Sequence, residues 1–184
     1  MSRSGLEIET ARLKLRPLAP GDLDAIHRVW TDPKVRRYLW DGGEVSREVA
    51  AGVISDSAAY FEGRGLGLFA MVLKGHEETI GFCGFWRFEG RPDFELAYGL
   101  APAWWGKGLA TEAARAAIRY GFEEAGLGRI EASADTPNAA SLRVMENAGM
   151  KYTKREVREG RDTTYYAISR EDFRAANGPT AAPG

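Results

Sequence analysis

The segment Trp105-Gly-Lys-Gly-Leu-Ala-Thr111 is the most informative stretch of the sequence for the fold and for a binding site. Two glycines two residues apart let a backbone approach a ligand without a clash with a Cβ atom. Apolar residues at Leu109, Ala113 and Ala117 predict a helix directly after them. The first N–H groups of a helix are unpaired and favour an anion. The segment therefore indicates a loop that binds phosphate or pyrophosphate.

Two common phosphate-binding loops do not fit this segment. A Walker A loop needs a glycine six positions before the lysine and Ser or Thr after it. Here Ala101 precedes Lys107 by six positions, and Gly108 follows it. A dinucleotide-binding fingerprint needs a third glycine, where this chain has Thr111, and an opening strand–helix–strand unit that the surrounding pattern lacks.

The pattern around the loop predicts a mixed α/β (α+β) fold. Apolar alternation and turn residues predict strands over residues 6–18, 68–73, 79–88, 94–100, 129–134, 152–157 and 163–168. Helical spacing and capping residues predict helices over 20–30, 46–61, 109–124 and 138–148, a short helix after Asp32-Pro33, and a last one after Ser169. This order favours a mixed, mostly antiparallel central sheet flanked by helices and excludes a doubly wound one.

Composition limits the class of protein. The 184 residues carry 25 Lys+Arg against 26 Asp+Glu, a balance that disfavours a nucleic-acid partner. At roughly 150 residues per domain, we expect one domain over residues 1–176, with residues 177–184 as a flexible tail. Acidic residues near the start of the sequence argue against a signal peptide. The apolar runs are too short to predict a membrane span. One cysteine and two histidines predict a cytoplasmic chain with no metal site.

The loop resembles the acyl-CoA loop of the GNAT acetyltransferases, Arg/Gln-x-x-Gly-x-Gly/Ala. Gly108 and Ala110 fill its last two defined positions, and Trp105 stands where Arg or Gln is usual. This form is similar to that of the RimJ/RimL branch, which acetylates protein N-termini. Residues 7–16, 32–40, 95–100 and 138–150 also resemble segments of that branch. The resemblance implies a GNAT fold splayed at the acyl-CoA site, and an N-acetyltransferase that moves the acetyl group of acetyl-CoA to a primary amine.

The resemblance also implies which residues bind acetyl-CoA. The pyrophosphate would lie on the backbone N–H groups of residues 106–111, and the end of the preceding strand would pair with the pantetheine arm. Lys107 would add charge there or lie in solvent. The implied cofactor-binding residues are Leu100, Trp105, Gly106, Lys107, Gly108, Leu109, Ala110, Thr111, Asn138 and Ser141.

Two residues are candidates for the chemistry. An ammonium must lose a proton before it attacks, and Glu95, on the strand before the loop, is the candidate base. The alternatives are an exposed strand glutamate and a water relay. Many family members place a tyrosine acid where this chain has Met145. Ser141, one turn after Asn138, is the candidate acid or thiol-orienting group, although both residues also suit a helix terminus.

Tyr38 and Trp40 are candidates for the wall of the acceptor site, with ordinary packing as the alternative. The acceptor is a protein N-terminus or a small-molecule amine, and Asp41, Glu44 and Asp93 would attract a cation. An acyl-CoA-binding sensor without catalysis is an alternative function that Met145 supports. The resemblance also allows a homodimer.

Overall fold

One eight-stranded sheet organises the chain in the computed structural model, which describes residues 5–89, 91, 93–158 and 160–177. The strands are β1 (Ile8–Glu9), β2 (Leu13–Pro17), β3 (Leu68–Leu73), β4 (Thr79–Trp86), β5 (Glu95–Leu100), β6 (Arg129–Asp135), β7 (Lys151–Arg158) and β8 (Arg161–Ser169). Their order across the sheet is β1-β2-β3-β4-β5-β6-β8-β7. Only β5 and β6 pair in parallel among these strands, so the mixed, mostly antiparallel sheet predicted from the sequence is confirmed.

Helices cover both faces of the sheet. They are α1 (Leu23–Thr31), α2 (Pro33–Arg36), α3 (Arg47–Arg64), α4 (Leu109–Glu123), α5 (Ala139–Asn147) and α6 (Arg170–Asn177). On one face, α1 and α3 enclose a core that contains Trp30, Ile54 and Phe82. On the other face, α4 and α5 enclose a larger core. Cys83 belongs to this second core, as expected from the alternation of β4.

Asp32 caps α2 as predicted from the sequence, and Ser46 caps α3. Asp32 accepts a hydrogen bond from the Lys34 N–H at 2.9 Å, at the start of α2. The Ser46 hydroxyl accepts from the Val49 N–H at 3.2 Å in the first turn of α3. No helix in the described part of the chain is both long and apolar enough to cross a bilayer.

Two details of the sequence prediction were wrong, and a third prediction falls outside the described residues. Residues 6–18 form two strands rather than one, because Thr10 and Leu13 close a turn through a 2.9 Å backbone bond and a 2.8 Å bond to the Thr10 hydroxyl. The helical spacing that predicts α3 counts Val49 on its apolar face, but Val49 is exposed. The phase that buries Ile54 and Phe61 turns Val49 outward. Helix α6 runs to Asn177, and residues 178–184 of the predicted tail lie outside the described residues.

Asp22 anchors the start of α1, at 4% exposure. Its carboxylate accepts two bonds from Arg16 at 2.7 and 2.8 Å, one from the Thr79 hydroxyl at 2.6 Å and one from the Ala19 N–H at 2.9 Å. Burial acts to raise the pKa of Asp22, but these hydrogen bonds outweigh it and lower the pKa. The cluster fixes α1, and with it the segment that carries Trp30 and Trp40, against β2 and β4.

Candidate active site

The site begins where two neighbouring strands part. Within the described residues, β5 and β6 share one registered pair, Glu95 with Glu131. Beyond this pair, β5 continues to Leu100 and β6 to Asp135, and the two strands make no further registered pairs with each other. The strands therefore enclose a gap that is closed at Glu95 and open towards the loop at residues 101–108.

The open end of the gap is formed by the glycine loop. Gly106 and Gly108 have φ values of +72° and +75°, a left-handed backbone that favours glycine. Gly108 is the N-cap of α4, and no described side chain caps that helix end. The N–H groups of residues 109–111 therefore have no intrahelical partner and point their partial positive charge at the loop. This geometry fits a pyrophosphate and supports the anion-binding prediction.

Arg12, which the sequence analysis did not assign, ties the N-terminal strands to this loop. Its guanidinium donates to the Lys107 carbonyl at 2.8 Å and to the Glu112 carboxylate at 2.7 Å. The Arg12 N–H and the Thr10 hydroxyl also donate to Glu112, at 2.7 and 2.6 Å. These hydrogen bonds lower the pKa of Glu112 although burial acts to raise it. Arg12 thus holds the loop open and neutralises an acid in the first turn of α4.

The two tryptophans of the loop have different partners. The Trp105 indole N–H donates to the Leu100 carbonyl at 2.8 Å, so that carbonyl at the end of β5 is already paired. The Lys107 amine lies 4.6 Å from the centre of the Trp104 ring. Leu109 is buried in the core and offers the loop only its N–H. Of the predicted cofactor residues, the loop therefore presents mainly backbone groups.

Glu95 lies at the closed end of the gap and is 3% exposed. Arg91 forms an ion pair with one carboxylate oxygen, and the Ser133 hydroxyl donates to the other at 3.2 Å. Arg91 also donates to the Tyr165 hydroxyl at 2.8 Å. Burial raises the pKa of Glu95, and the Arg91 charge and the Ser133 hydrogen bond offset only part of the rise. Glu95 is a buried, positioned carboxylate rather than an exposed strand residue.

Across the gap from β5, the start of α5 holds the other predicted residues. Asn138 is the N-cap of α5, and its side-chain oxygen accepts from the Ser141 N–H at 3.3 Å. The Ser141 hydroxyl oxygen lies 2.9 Å from the Tyr98 hydroxyl oxygen, and Tyr98 also donates to the Ser141 carbonyl at 2.9 Å. Tyr98 on β5 therefore spans the gap. Met145, one turn further along α5, is 1% exposed within the core.

The two faces of the sheet divide these groups. Tyr98 and Leu100 pack with the core under α4 and α5, on the side of the glycine loop. Ala97 packs with the core under α1 and α3. Since side chains alternate along a strand, Glu95 shares the Ala97 side. The Glu95 carboxylate and the Tyr98 hydroxyl thus lie towards opposite faces of the sheet.

An aromatic cluster lies on the Glu95 side. The Trp40 and Trp30 rings pack edge to face with centres 5.2 Å apart, and Trp30 packs on Phe82 at 5.7 Å. Trp40 has a φ of +55°, an uncommon backbone conformation for a residue other than glycine, and is 36% exposed. The Tyr38 ring instead has the Arg37 guanidinium carbon 5.3 Å from its centre. Of the two predicted acceptor residues, the structure places Trp40 in this cluster.

The cysteine of β4 is enclosed in the core. Cys83 is fully buried, and burial raises the pKa of its thiol. Among the described residues, no three His, Cys, Asp or Glu side chains are placed to share a metal ion.

Comparisons with known proteins concern the family and the fold of the chain. Residues 12–151 match the family described as acetyltransferase (GNAT) domain. YnaD, an uncharacterized N-acetyltransferase of Bacillus subtilis strain 168, is 30% identical over 174 residues, which cover 91% of this chain and 99% of that protein.

Solved structures share the fold. An acetyltransferase of the GNAT family from Bacillus anthracis superimposes with a TM-score of 0.76 at 28% identity, over 90% of this chain and 99% of that chain. RimL, a ribosomal alpha-N-protein acetyltransferase solved in complex with coenzyme A, gives a TM-score of 0.75 over 89% of this chain and 98% of its own. At 18% identity, that second likeness concerns the fold alone.

The ion pair between Arg91 and Glu95 gives a test of the site's electrostatics. Arg91→Gln removes a charge that lowers the pKa of Glu95, so we expect that pKa to rise further in the variant. The proton-accepting form of Glu95 then appears only at higher pH. Carboxyl-carbon NMR titration of labelled glutamates measures the shift, with Arg119→Gln on the exposed surface of α4 as the control. An unchanged or lowered Glu95 pKa in Arg91→Gln would contradict the assignment.

Proposed function

The chain belongs to the GNAT family of acetyltransferases and is an N-acetyltransferase, and from this premise we propose that it transfers the acetyl group of acetyl-CoA directly to a primary amine while both are bound. One observation carries the proposal. The gap between β5 and β6 has a phosphate-binding loop at its open end and a buried carboxylate at its closed end. An extended thioester that enters from the loop brings its reactive end towards Glu95.

The loop fits the cofactor. A Cβ atom built on Gly106 meets nothing within 4 Å, so the loop leaves space above its backbone. The uncapped N–H groups of residues 109–111 supply positive potential without a lysine contact. Asn138 and Ser141 border the same gap from α5. We infer that these groups bind the pyrophosphate and the arm of acetyl-CoA, while Arg12 keeps the loop in shape.

Glu95 is proposed as the base that removes a proton from the ammonium of the acceptor. Only the ionised carboxylate accepts a proton, and Arg91 and Ser133 both favour that form while they fix its position. The rest of the rate enhancement would come from placing the amine next to the thioester. The reaction then needs no enzyme thiol, consistent with the buried, unreactive Cys83.

The acceptor is proposed to approach from the side of α1 and α3. Glu95 and the Trp30–Trp40 cluster share that side, whereas the glycine loop belongs to the other. Exposed Trp40 provides an apolar wall for the acceptor. The segments similar to the RimJ/RimL branch, at residues 7–16 and 138–150, favour a protein N-terminus; a small-molecule amine is the alternative acceptor.

An acyl-CoA-binding sensor is a second candidate function. Its support is Met145, an apolar, buried residue where many relatives carry a tyrosine acid. A sensor would bind acetyl-CoA and release no thiol.

Thiol release measures the proposed function. The protein is incubated with acetyl-CoA and, in turn, a peptide with a free N-terminus, a free amino acid, an amino sugar and a polyamine. We expect at least one amine to accelerate release of the CoA thiol. Acetyl-CoA binding in calorimetry with no release for any amine would favour the sensor, and absence of binding would contradict both functions.

Glu95→Gln tests the base. We expect kcat to fall about 10²–10⁴-fold, the usual contribution of a general base, while acetyl-CoA affinity stays close to wild type. The matched control is Glu131→Gln, because Glu131 is the registered partner of Glu95 but is exposed on β6. Equal rates in the Glu95 variant and wild type across the pH range would remove the base role.

Gly108→Val tests the loop. A Cβ atom at Gly108 would lie 3.5 Å from the Arg12 guanidinium that binds the loop. A β-branched side chain there should displace Arg12 and distort the loop, so we expect acetyl-CoA affinity to fall at least about tenfold, or about 1.4 kcal/mol. Gly126→Val is the control, since Gly126 has the same φ of +75° and lies beyond the far end of α4. Both variants carry the same backbone strain, so thermal melting should fall in both. Unchanged affinity in Gly108→Val would overturn the loop assignment.

A further inference from the structure

We propose that Tyr98 is the proton donor to the departing CoA thiolate, with Ser141 as the residue that positions its hydroxyl. This inference rests on the proposed function and adds a catalytic residue to the same site. It assigns the acid to β5, on the wall of the gap that faces α5.

The placement of the Tyr98 hydroxyl is the first support. Its oxygen lies 2.9 Å from the Ser141 hydroxyl oxygen and 2.9 Å from the Ser141 carbonyl oxygen. Tyr98 belongs to the part of β5 beyond Glu95, which has no registered pairs with β6. Ser141 belongs to the first turn of α5, which follows β6. The hydroxyl pair therefore crosses the gap between the two elements that border the proposed cofactor arm.

The direction of the chemistry is the second support. Tyr98 and the core beneath the glycine loop lie on one side of the sheet, and Glu95 and the aromatic cluster lie on the other. An amine that approaches from the Glu95 side displaces a thiolate that leaves towards the Tyr98 side. A base and an acid on opposite sides of the carbonyl suit this displacement, because each meets the atom whose charge changes.

Tyr98 also has the chemical state that the role requires. Burial raises the pKa of the Tyr98 phenol and outweighs the hydrogen bond with Ser141, so the hydroxyl keeps its proton at neutral pH. Met145 stands where many family members have a tyrosine acid, and it has no hydroxyl and is enclosed in the core. Within the described residues around the gap, Tyr98 is thus a protonated acid held in a fixed position.

The proposed step balances. Glu95 takes one proton from the ammonium and passes it to water. The free amine then forms the C–N bond, and its nitrogen gives a second proton to Glu95. The C–S bond breaks, and its electron pair remains on sulfur. The Tyr98 O–H proton passes to that sulfur, which leaves as the thiol of CoA. Water then returns a proton to the Tyr98 phenolate and removes one from Glu95.

The test compares Tyr98→Phe with Tyr120→Phe. Both lose one hydroxyl from a tyrosine, but Tyr120 donates to the Gly65 carbonyl, far from the gap. The titration of the bound CoA thiol is followed by the difference absorbance of the thiolate, which needs no acceptor. A hydroxyl that donates to sulfur favours the thiolate, so we expect the thiol pKa in the CoA complex to be higher in Tyr98→Phe than in wild type and Tyr120→Phe.

The kinetic part of the test separates catalysis from structure. With an amine accepted by the wild type, kcat for Tyr98→Phe should fall about 10²-fold or more while acetyl-CoA affinity stays unchanged. Replacement of Tyr98 by 3-fluorotyrosine keeps its shape and hydroxyl but makes the phenol more acidic. Because that protein keeps the proton donor, we expect its kcat to stay well above that of Tyr98→Phe.

The outcomes distinguish the two proposals. If the wild type binds neither CoA nor acetyl-CoA, the proposed function fails and the role of Tyr98 with it. If CoA binds but its thiol titrates identically in wild type and Tyr98→Phe, the role of Tyr98 alone is overturned. A kcat of the 3-fluorotyrosine protein as low as that of Tyr98→Phe also overturns it.

Discussion

The structure depends on one interruption of hydrogen bonding, the parting of β5 and β6 beyond the Glu95–Glu131 pair. Backbone groups that lose a strand partner need another polar partner, so the gap is a place for a ligand with amides along its length. The elements that follow the two strands then define its ends. The glycine loop and α4 follow β5, and Asn138 and α5 follow β6. Both helices begin at the open end. The uncapped N–H groups of α4 face the site where phosphates are proposed to bind, whereas Asn138 caps α5.

This arrangement explains how a chain of net charge −1 suits a highly anionic cofactor. The positive potential comes from backbone N–H groups, while Arg12 neutralises Glu112 beside them. In the proposed function, the sheet also separates the reactants. The cofactor side contains α4, α5 and Tyr98, and the acceptor side contains α1, α3, Glu95 and the tryptophan cluster. Acyl transfer in this account takes place through the gap, from one side of the sheet to the other.

The sequence was sufficient for the features that depend on local patterns. The mixed sheet and the Asp32 cap follow from spacing and residue type, and the structure confirms them. The same patterns indicate the glycine loop between β5 and α4, and its role in anion binding stays a prediction. The surroundings of Glu95 were not predictable, because Ser133 reaches Glu95, and Tyr165 reaches its ion-pair partner Arg91, only through the register of β6 and β8. Tyr98 lay within a segment that the resemblance singled out. Alternation gives its side of the strand, but the contact with Ser141 depends on how far the strands part. The turn at Thr10 needed the Glu112 contact, 102 residues away.

A crystal structure of the protein with CoA tests the central claim most directly. The account predicts pyrophosphate density against the N–H groups of residues 109–111, an extended arm between β5 and β6, and a sulfur atom within hydrogen-bonding distance of Tyr98. The proposed acceptor side, beside Trp40, should carry no CoA density in that complex. CoA density elsewhere on the protein, or hydrogen bonds between β5 and β6 along their whole length in the complex, would contradict the account.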